Sequence, residues 1–172
     1  MKPATSLIIF TVLSGFGFGL LFWLNLNLHS SINFPTSISF PFAFLITVIG
    51  LISSSFHLGN PQRALLAFTQ WRSSWLSREA VLATITLLIS LGHVFVKVTY
   101  GVYFFWLGLL AAVFCLLTIF STAMIYTQMK TVPRWNMKIT PALFLLYATV
   151  GSSLILNNTI FSFCLFLILG LT

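Results

Sequence analysis

Acidic side chains are almost absent from this chain. Glu79 is the only carboxylate side chain in 172 residues, and charged residues of both signs make up 5% of the sequence. Hydrophobic residues make up 59%, and the mean hydropathy is +1.06. A soluble domain of this length could not expose so little polar surface. The composition therefore excludes an ordinary soluble domain and indicates a membrane protein.

Metal-ligand patterns are also lacking. Cys115 and Cys164 are isolated within apolar runs, and without a C-x-x-C pair nothing predicts an iron–sulfur cluster or a zinc site. His57 and His93 are predicted to lie about 20 Å apart along the membrane normal, too far to share a haem iron. His29 falls in a polar loop. We therefore expect no metal, no haem and no nucleic-acid partner, and any redox carrier must be diffusible or held by a partner.

Long apolar runs are what the chain has instead. A hydrocarbon layer of about 30 Å requires about 20 helical residues. Five runs are predicted to be transmembrane helices, at residues 7–28, 41–58, 80–98, 103–126 and 141–156. A sixth run, 160–171, would reach only about 18 Å as a helix and is predicted to be a short or partial span. The expected fold is an all-α integral membrane protein, a single domain over residues 1–172.

The positive charges predict the orientation of the bundle. With five spans, the N-terminus and the connections 59–79 and 127–140 share one face. That face carries every lysine and arginine except Lys97, namely Lys2, Arg63, Arg72, Arg78, Lys130, Arg134 and Lys138. The positive-inside rule then predicts that the N-terminus and both connections are cytoplasmic. Alternatively, the positive face serves to dock an acidic soluble subunit.

Tryptophan and proline mark the predicted span edges. Interfacial belts are expected at Trp71, Trp75 and Trp135 on the charged face, and at Trp23 and Trp106 on the other. Pro41 and Pro141 are predicted to open helices, because proline in a first turn sacrifices no hydrogen bond. Ser77 is predicted to cap the third span, which places Glu79 in its first turn.

The most polar stretch lies between the second and third spans and contains His57, Arg63 and Glu79. Ionisable residues at a membrane edge are costly, so the cluster is a functional hypothesis. Structural alternatives stay open from position alone. Glu79 can be stabilised by the helix dipole or by pairing with Arg78 or Arg63, and His57 can satisfy a carbonyl at the end of its span.

Two motifs in this part of the chain resemble a known family. Residues 55–64 (SFHLGNPQRA), followed by 75–79 (WLSRE), are similar to the second connection of the membrane-anchor subunit of the dimethyl sulfoxide reductase family. Tyr126 with 131–135 (TVPRW) and Thr140-Pro141 is similar to the fourth. The resemblance covers essentially the whole chain. Those anchors usually have eight spans, so we expect a shortened natural form or a partial sequence.

The resemblance implies a complex in a bacterial cytoplasmic (inner) membrane, serving anaerobic respiration. Its partners would be a molybdopterin catalytic subunit and a four-cluster iron–sulfur subunit, with menaquinone or another quinone as the diffusible carrier. By the resemblance His57, Arg63 and Glu79 form a quinol site, and Glu79 relays protons to water. Docking of the iron–sulfur subunit is expected at the remaining cations of the charged connections, Arg72, Arg78, Lys130, Arg134 and Lys138.

Other functions stay open beside this one. The chain can be a purely structural anchor without a competent quinone site, or an anchor for a sulfite- or polysulfide-type enzyme of the same molybdenum superfamily. A small transporter or channel would need ionisable residues at mid-bilayer or paired broken helices, and the sequence predicts neither. Under every anchor hypothesis the chain has at most a quinol oxidation site, because the substrate chemistry belongs to the catalytic subunit.

Overall fold

The computed structural model describes residues 5–28, 35–55 and 68–156, without the side chains of residues 36 and 55. Within these ranges the chain forms five α-helices and no strand. The helices are α1 (Thr5–Asn25), α2 (Thr36–Ser55), α3 (Trp75–Tyr100), α4 (Phe105–Thr127) and α5 (Thr140–Ile155). The all-α expectation is confirmed, and the predicted short span at 160–171 lies outside the described residues.

The lengths of the helices fit a membrane protein. Helices α1 to α4 have 20 to 26 residues and are apolar enough to cross a bilayer. Helix α5 is apolar but has only 16 residues, which corresponds to about 24 Å. Large apolar side chains such as Leu45, Leu88 and Phe95 are exposed, as expected for surfaces that face lipid.

Contacts between helices fix their directions. Ser53 near the end of α2 donates to the carbonyl of Ser6 near the start of α1, and Thr122 near the end of α4 bonds Glu79 near the start of α3. Adjacent helices are therefore antiparallel. The connections 68–74 and 128–139 consequently share one end of the bundle, here called the basic end. It carries all the described cations except Lys97, namely Arg72, Arg78, Lys130, Arg134 and Lys138; the opposite end is called the Lys97 end.

Helix α1 packs against α2, α4 and α5, and glycines allow two of these approaches. A Cβ atom on Gly17 would collide with Thr47 of α2, and one on Gly19 would collide with the backbone of Ala148 in α5. Small residues at such positions let membrane helices approach closely enough for backbone atoms to contact. The core that forms around α1 fixes the relative positions of α4 and α5.

Two predicted helix starts are wrong. Helix α2 begins at Thr36, so Pro41 lies inside it. As the sixth helical residue it supplies no N–H for the bond to the carbonyl of Ser37, so the helix gives up one hydrogen bond near its start. Helix α3 begins at Trp75 with Ser74 at the N-cap, and no side-chain cap bond forms. Glu79 is therefore beyond the first turn, and Ser77 is not the cap. The predicted opening of α5 at Pro141 is confirmed.

One predicted interfacial tryptophan is also misplaced. Trp23 is buried and donates its indole N–H to the carbonyl of Thr149 in α5 at 2.9 Å. An indole needs a hydrogen-bond partner when it leaves water, and the neighbouring helix supplies one here. Trp71 and Trp106, by contrast, are exposed near the ends of the bundle, as expected for interfacial residues.

Candidate functional site

The single carboxylate of the chain lies inside the bundle near its basic end. Glu79 is only 4% exposed. Its Oε1 atom accepts a hydrogen bond of 2.5 Å from the Oγ1 hydroxyl of Thr122 in α4. Buried polar groups need a hydrogen-bond partner, and Thr122 supplies one for this carboxyl group. In the described part of the chain, Glu79 is therefore held by a hydroxyl group rather than by a cation.

Arg78 does not pair with its neighbour in the sequence. Its guanidinium lies 4.3 Å from the ring centroid of Trp75. The same group donates to the carbonyl of Trp71 at 3.1 Å and to that of Arg72 at 2.9 Å. These contacts hold the 68–74 connection against the start of α3. A guanidinium suits this role because its planar fork can stack on a ring and donate several bonds together.

The other residues expected at the quinol site are His57 and Arg63, and both lie outside the described residues. The structure does describe the last turn of α2, which ends at Ser55. Ser53 in the last turn of α2 is bonded to Ser6 at the basic end, so α2 ends at the same end of the bundle as Glu79. Nearby in sequence, the buried hydroxyl of Ser77 has no hydrogen-bond partner among the described residues.

The buried face of α3 is polar along most of its length. Glu79, Thr86, Ser90 and His93 are all buried and recur at helical spacing, with Ala83 between the first two. Thr86 contacts Thr118 of α4 through their hydroxyls at 2.9 Å. Sequence reasoning missed this seam, although its signal was present: polar residues at i, i+7, i+11 and i+14 of an apolar run lie on one helix face.

A second polar cluster lies at the Lys97 end and was not anticipated. His93 is fully buried, and its Nδ1 lies 2.8 Å from Oδ1 of Asn25. The side-chain amide of Asn25 donates to the hydroxyl of Ser90 at 2.9 Å, and the backbone carbonyl of Asn25 accepts from the phenol of Tyr103 at 3.0 Å. Burial raises the pKa of that phenol above its ordinary value. The cluster ties α1, α3 and the 101–104 connection together.

Neither cluster is a metal site in the part of the chain that the structure describes. No group of three His, Cys, Asp or Glu side chains comes together there. Nε2 of His93 is buried and has no hydrogen-bond partner among the described residues. One imidazole outside any such group of described side chains is not a ligand set for zinc.

A cavity of about 280 Å³ lies beside the Glu79 site, between α1, α4 and α5. Its lining includes Thr122, the hydroxyl partner of Glu79, together with Gly15, Phe18 and Ala148. A smaller cavity of about 210 Å³ adjoins it and is lined by Leu7, Tyr126 and Trp135, among others. Both are almost wholly apolar. An amphiphilic molecule could therefore approach the hydroxyl that holds Glu79 from within the hydrocarbon layer.

The cations expected to dock a partner differ in how freely they are presented. Arg72, Lys130, Arg134 and Lys138 are exposed at the basic end. Arg78 is half-buried and holds the 68–74 connection. Exposed like charges on adjacent connections create a positive surface that attracts an acidic partner at long range.

These features define a multi-pass membrane protein with a buried acid at the basic end of an α-helical bundle. Sequence comparison identifies the family: the chain belongs to the family of the DMSO reductase anchor subunit (DmsC), whose model matches residues 1–165. The predicted resemblance is confirmed. The chain is also 32% identical, over 173 aligned positions, to a subunit of the sulfite dehydrogenase of Allochromatium vinosum.

That alignment covers 84% of this chain and 51% of the relative, so the chain spans about half the length of the curated relative it matches. No solved structure matches the chain. Family membership establishes a membrane-anchor subunit, and the helices establish that it is multi-pass.

Proposed function

We propose that this chain is the quinol-binding membrane anchor of a molybdopterin oxidoreductase complex. It would pass electrons between the quinone pool and an iron–sulfur subunit docked at the basic end. The observation that carries the proposal is the position of Glu79. It is a buried acid held by Thr122, and the side chain of Thr122 lines an apolar cavity within the spans. An ionisable group in this setting is costly and is retained where chemistry needs it.

The chemistry of quinol oxidation explains the residues involved. Oxidation of a quinol releases two electrons and two protons, so the site needs a hydrogen-bond acceptor and a proton exit. We assign the first role to His57, since the ordinary pKa of imidazole lies near neutrality. His57 would take the two protons one at a time and pass each to Glu79, which would release it to water at the basic end, with Arg63 at the same edge of the site. The electrons would leave to a cluster of the iron–sulfur partner.

The partner subunits follow from the family. A molybdopterin subunit would carry the substrate chemistry, and a four-cluster iron–sulfur subunit would connect it to the anchor. The name of the Allochromatium relative favours a second candidate for the substrate, sulfite. In a sulfite dehydrogenase the electrons would run from the partner to the quinone, and the same residues would deliver protons rather than remove them.

The test is a pair of histidine substitutions in the assembled complex. His57→Ala should lower quinol-dependent turnover by roughly 10²-fold or more, the usual contribution of a general base. An artificial donor that reduces the clusters directly should still support turnover. The matched control is His93→Ala, which changes a histidine at the Lys97 end and should leave quinol turnover in place.

Glu79→Gln keeps the shape of the side chain and its bond from Thr122 but removes proton transfer, so it should slow turnover. The loss should be smaller than in His57→Ala because the proton acceptor His57 is still present. Normal quinol turnover by the assembled His57→Ala complex would show that the quinol site is wrongly placed and that His57 is an ordinary interfacial residue.

A further inference from the structure

The two cavities beside Glu79 form one elongated site. The inner chamber, of about 280 Å³, lies between α1, α4 and α5, and the outer chamber, of about 210 Å³, adjoins it towards Trp135 and the basic end. Thr11, Val12 and Phe144 line both. Together the chambers reach the size range of ligand pockets, about 300–1,000 Å³.

The hydroxyl groups nearest Glu79 lie in one part of this site, and the only other polar side chains in its described lining are the exposed Tyr147 and the indole of Trp135. The hydroxyls of Thr11 and Tyr126 are hydrogen-bonded to each other where the chambers meet. Thr122, which holds Glu79, faces the inner chamber. The rest of the inner lining consists mainly of aromatic and aliphatic groups such as Phe18 and Ile119. A ligand that fits must carry neutral hydrogen-bonding groups at one end and hydrocarbon beyond them.

Charge separates two common membrane amphiphiles, a phospholipid and a quinol, as candidates for this site. None of the described residues that line the chambers is charged. The phosphate of a phospholipid would enter without a cation, and burying an unpaired charge is strongly unfavourable. The hydroxyl groups of a quinol are neutral and can bond to hydroxyl side chains. The lining therefore favours a quinol over a phospholipid.

We propose that the inner chamber holds the first isoprenoid units of the quinol tail, and that the Thr11–Tyr126 hydroxyl pair sets the depth of the headgroup beside Thr122. This inference rests on the proposed quinol function and names where its substrate sits. It adds α1 and α5 to the site, whereas the expected quinol residues come from the second connection and the start of α3.

Gly15 provides a selective way to test this. It lines the inner chamber, and a Cβ atom added there would meet nothing within 4 Å, unlike one on Gly17 or Gly19. The first carbon added by Gly15→Leu therefore meets no other atom, and the rest of the side chain should extend into the chamber; leucine is also the better helix former. The matched control is Gly92→Leu, another helical glycine with no atom within 4 Å of its added Cβ, in α3 away from the chambers.

The experiment compares two quinols in the assembled complex, one with a long isoprenoid tail and one with a single short side chain. Gly15→Leu should raise KM for the long-tailed quinol by roughly tenfold or more, because several methylene groups lose their burial. KM for the short analogue and turnover with an artificial donor should stay as in the wild type. Gly92→Leu should match the wild type with both quinols.

A photoreactive isoprenoid quinone gives a second readout that needs no substitution. In the wild-type complex it should label peptides from α1 and α5, and Gly15→Leu should reduce that label. The inference would be overturned if Gly15→Leu had the same quinol turnover and the same quinone labelling as the wild type. It would also be overturned if only a diacyl phospholipid probe, and not the quinone, labelled these peptides. A wild-type complex that neither oxidises quinol nor reduces quinone would instead refute the proposed function.

Discussion

Oγ1 of Thr122 and Oε1 of Glu79 lie 2.5 Å apart across the α3–α4 interface. Thr122→Val removes this donor with little change in volume, leaving a buried carboxyl group without its described partner. We expect the free energy of unfolding to fall by about 1–3 kcal/mol. Chemical denaturation of the purified chain in detergent measures it. Thr122→Ser should recover most of the loss, and equal stability of Thr122→Val and wild type would show that the bond contributes nothing.

The Asn25–His93 contact should be a structural bond rather than part of the electron route. Its two residues join α1 to α3 at the Lys97 end. A double-mutant cycle with Asn25→Ala and His93→Ala should give a coupling free energy of about 0.5–3 kcal/mol in unfolding. Strictly additive effects of the two substitutions would contradict the contact.

Exposed cations at the basic end should control assembly with the partner. Replacing Lys130, Arg134 and Lys138 by glutamine should reduce co-purification of the iron–sulfur subunit. Salt should also dissociate the wild-type complex progressively, because exposed charges are screened over about 10 Å at 0.1 M ionic strength. The control is Lys97→Gln, which removes a cation from the opposite end. Co-purification of the triple variant at the wild-type level would place the partner elsewhere.

The orientation of the bundle can be measured with reporter fusions. The excess of positive charge predicts that the basic end is cytoplasmic. Alkaline phosphatase, which is active only outside the cytoplasm, should be silent when fused after residue 70 and active when fused after residue 100. The reverse pattern would show that the basic end and its partners face outwards.

The helical segments were largely predictable, because a hydrocarbon layer requires about 20 apolar residues and that requirement can be read locally. The collection of the charges at one end was predictable as well, since charges avoid the layer and must lie at its edges. The helix starts were less so. Pro41 was expected to open α2 and lies inside it. A proline can open a helix or lie in its second turn with the loss of one hydrogen bond, and the sequence around Pro41 does not distinguish the two.

The sequence by itself determined that this is a helical membrane protein of the anchor family, with its one acid at the positively charged edge. Only the tertiary structure decided what that acid contacts. Glu79 and Thr122 are 43 residues apart in the chain, and Asn25 and His93 are 68 apart. The empty space beside Gly15 and the burial of Trp23 likewise depend on α5. Hydropathy fixes each helix in the membrane independently, whereas a hydrogen bond or a cavity requires two helices at a definite rotation and distance.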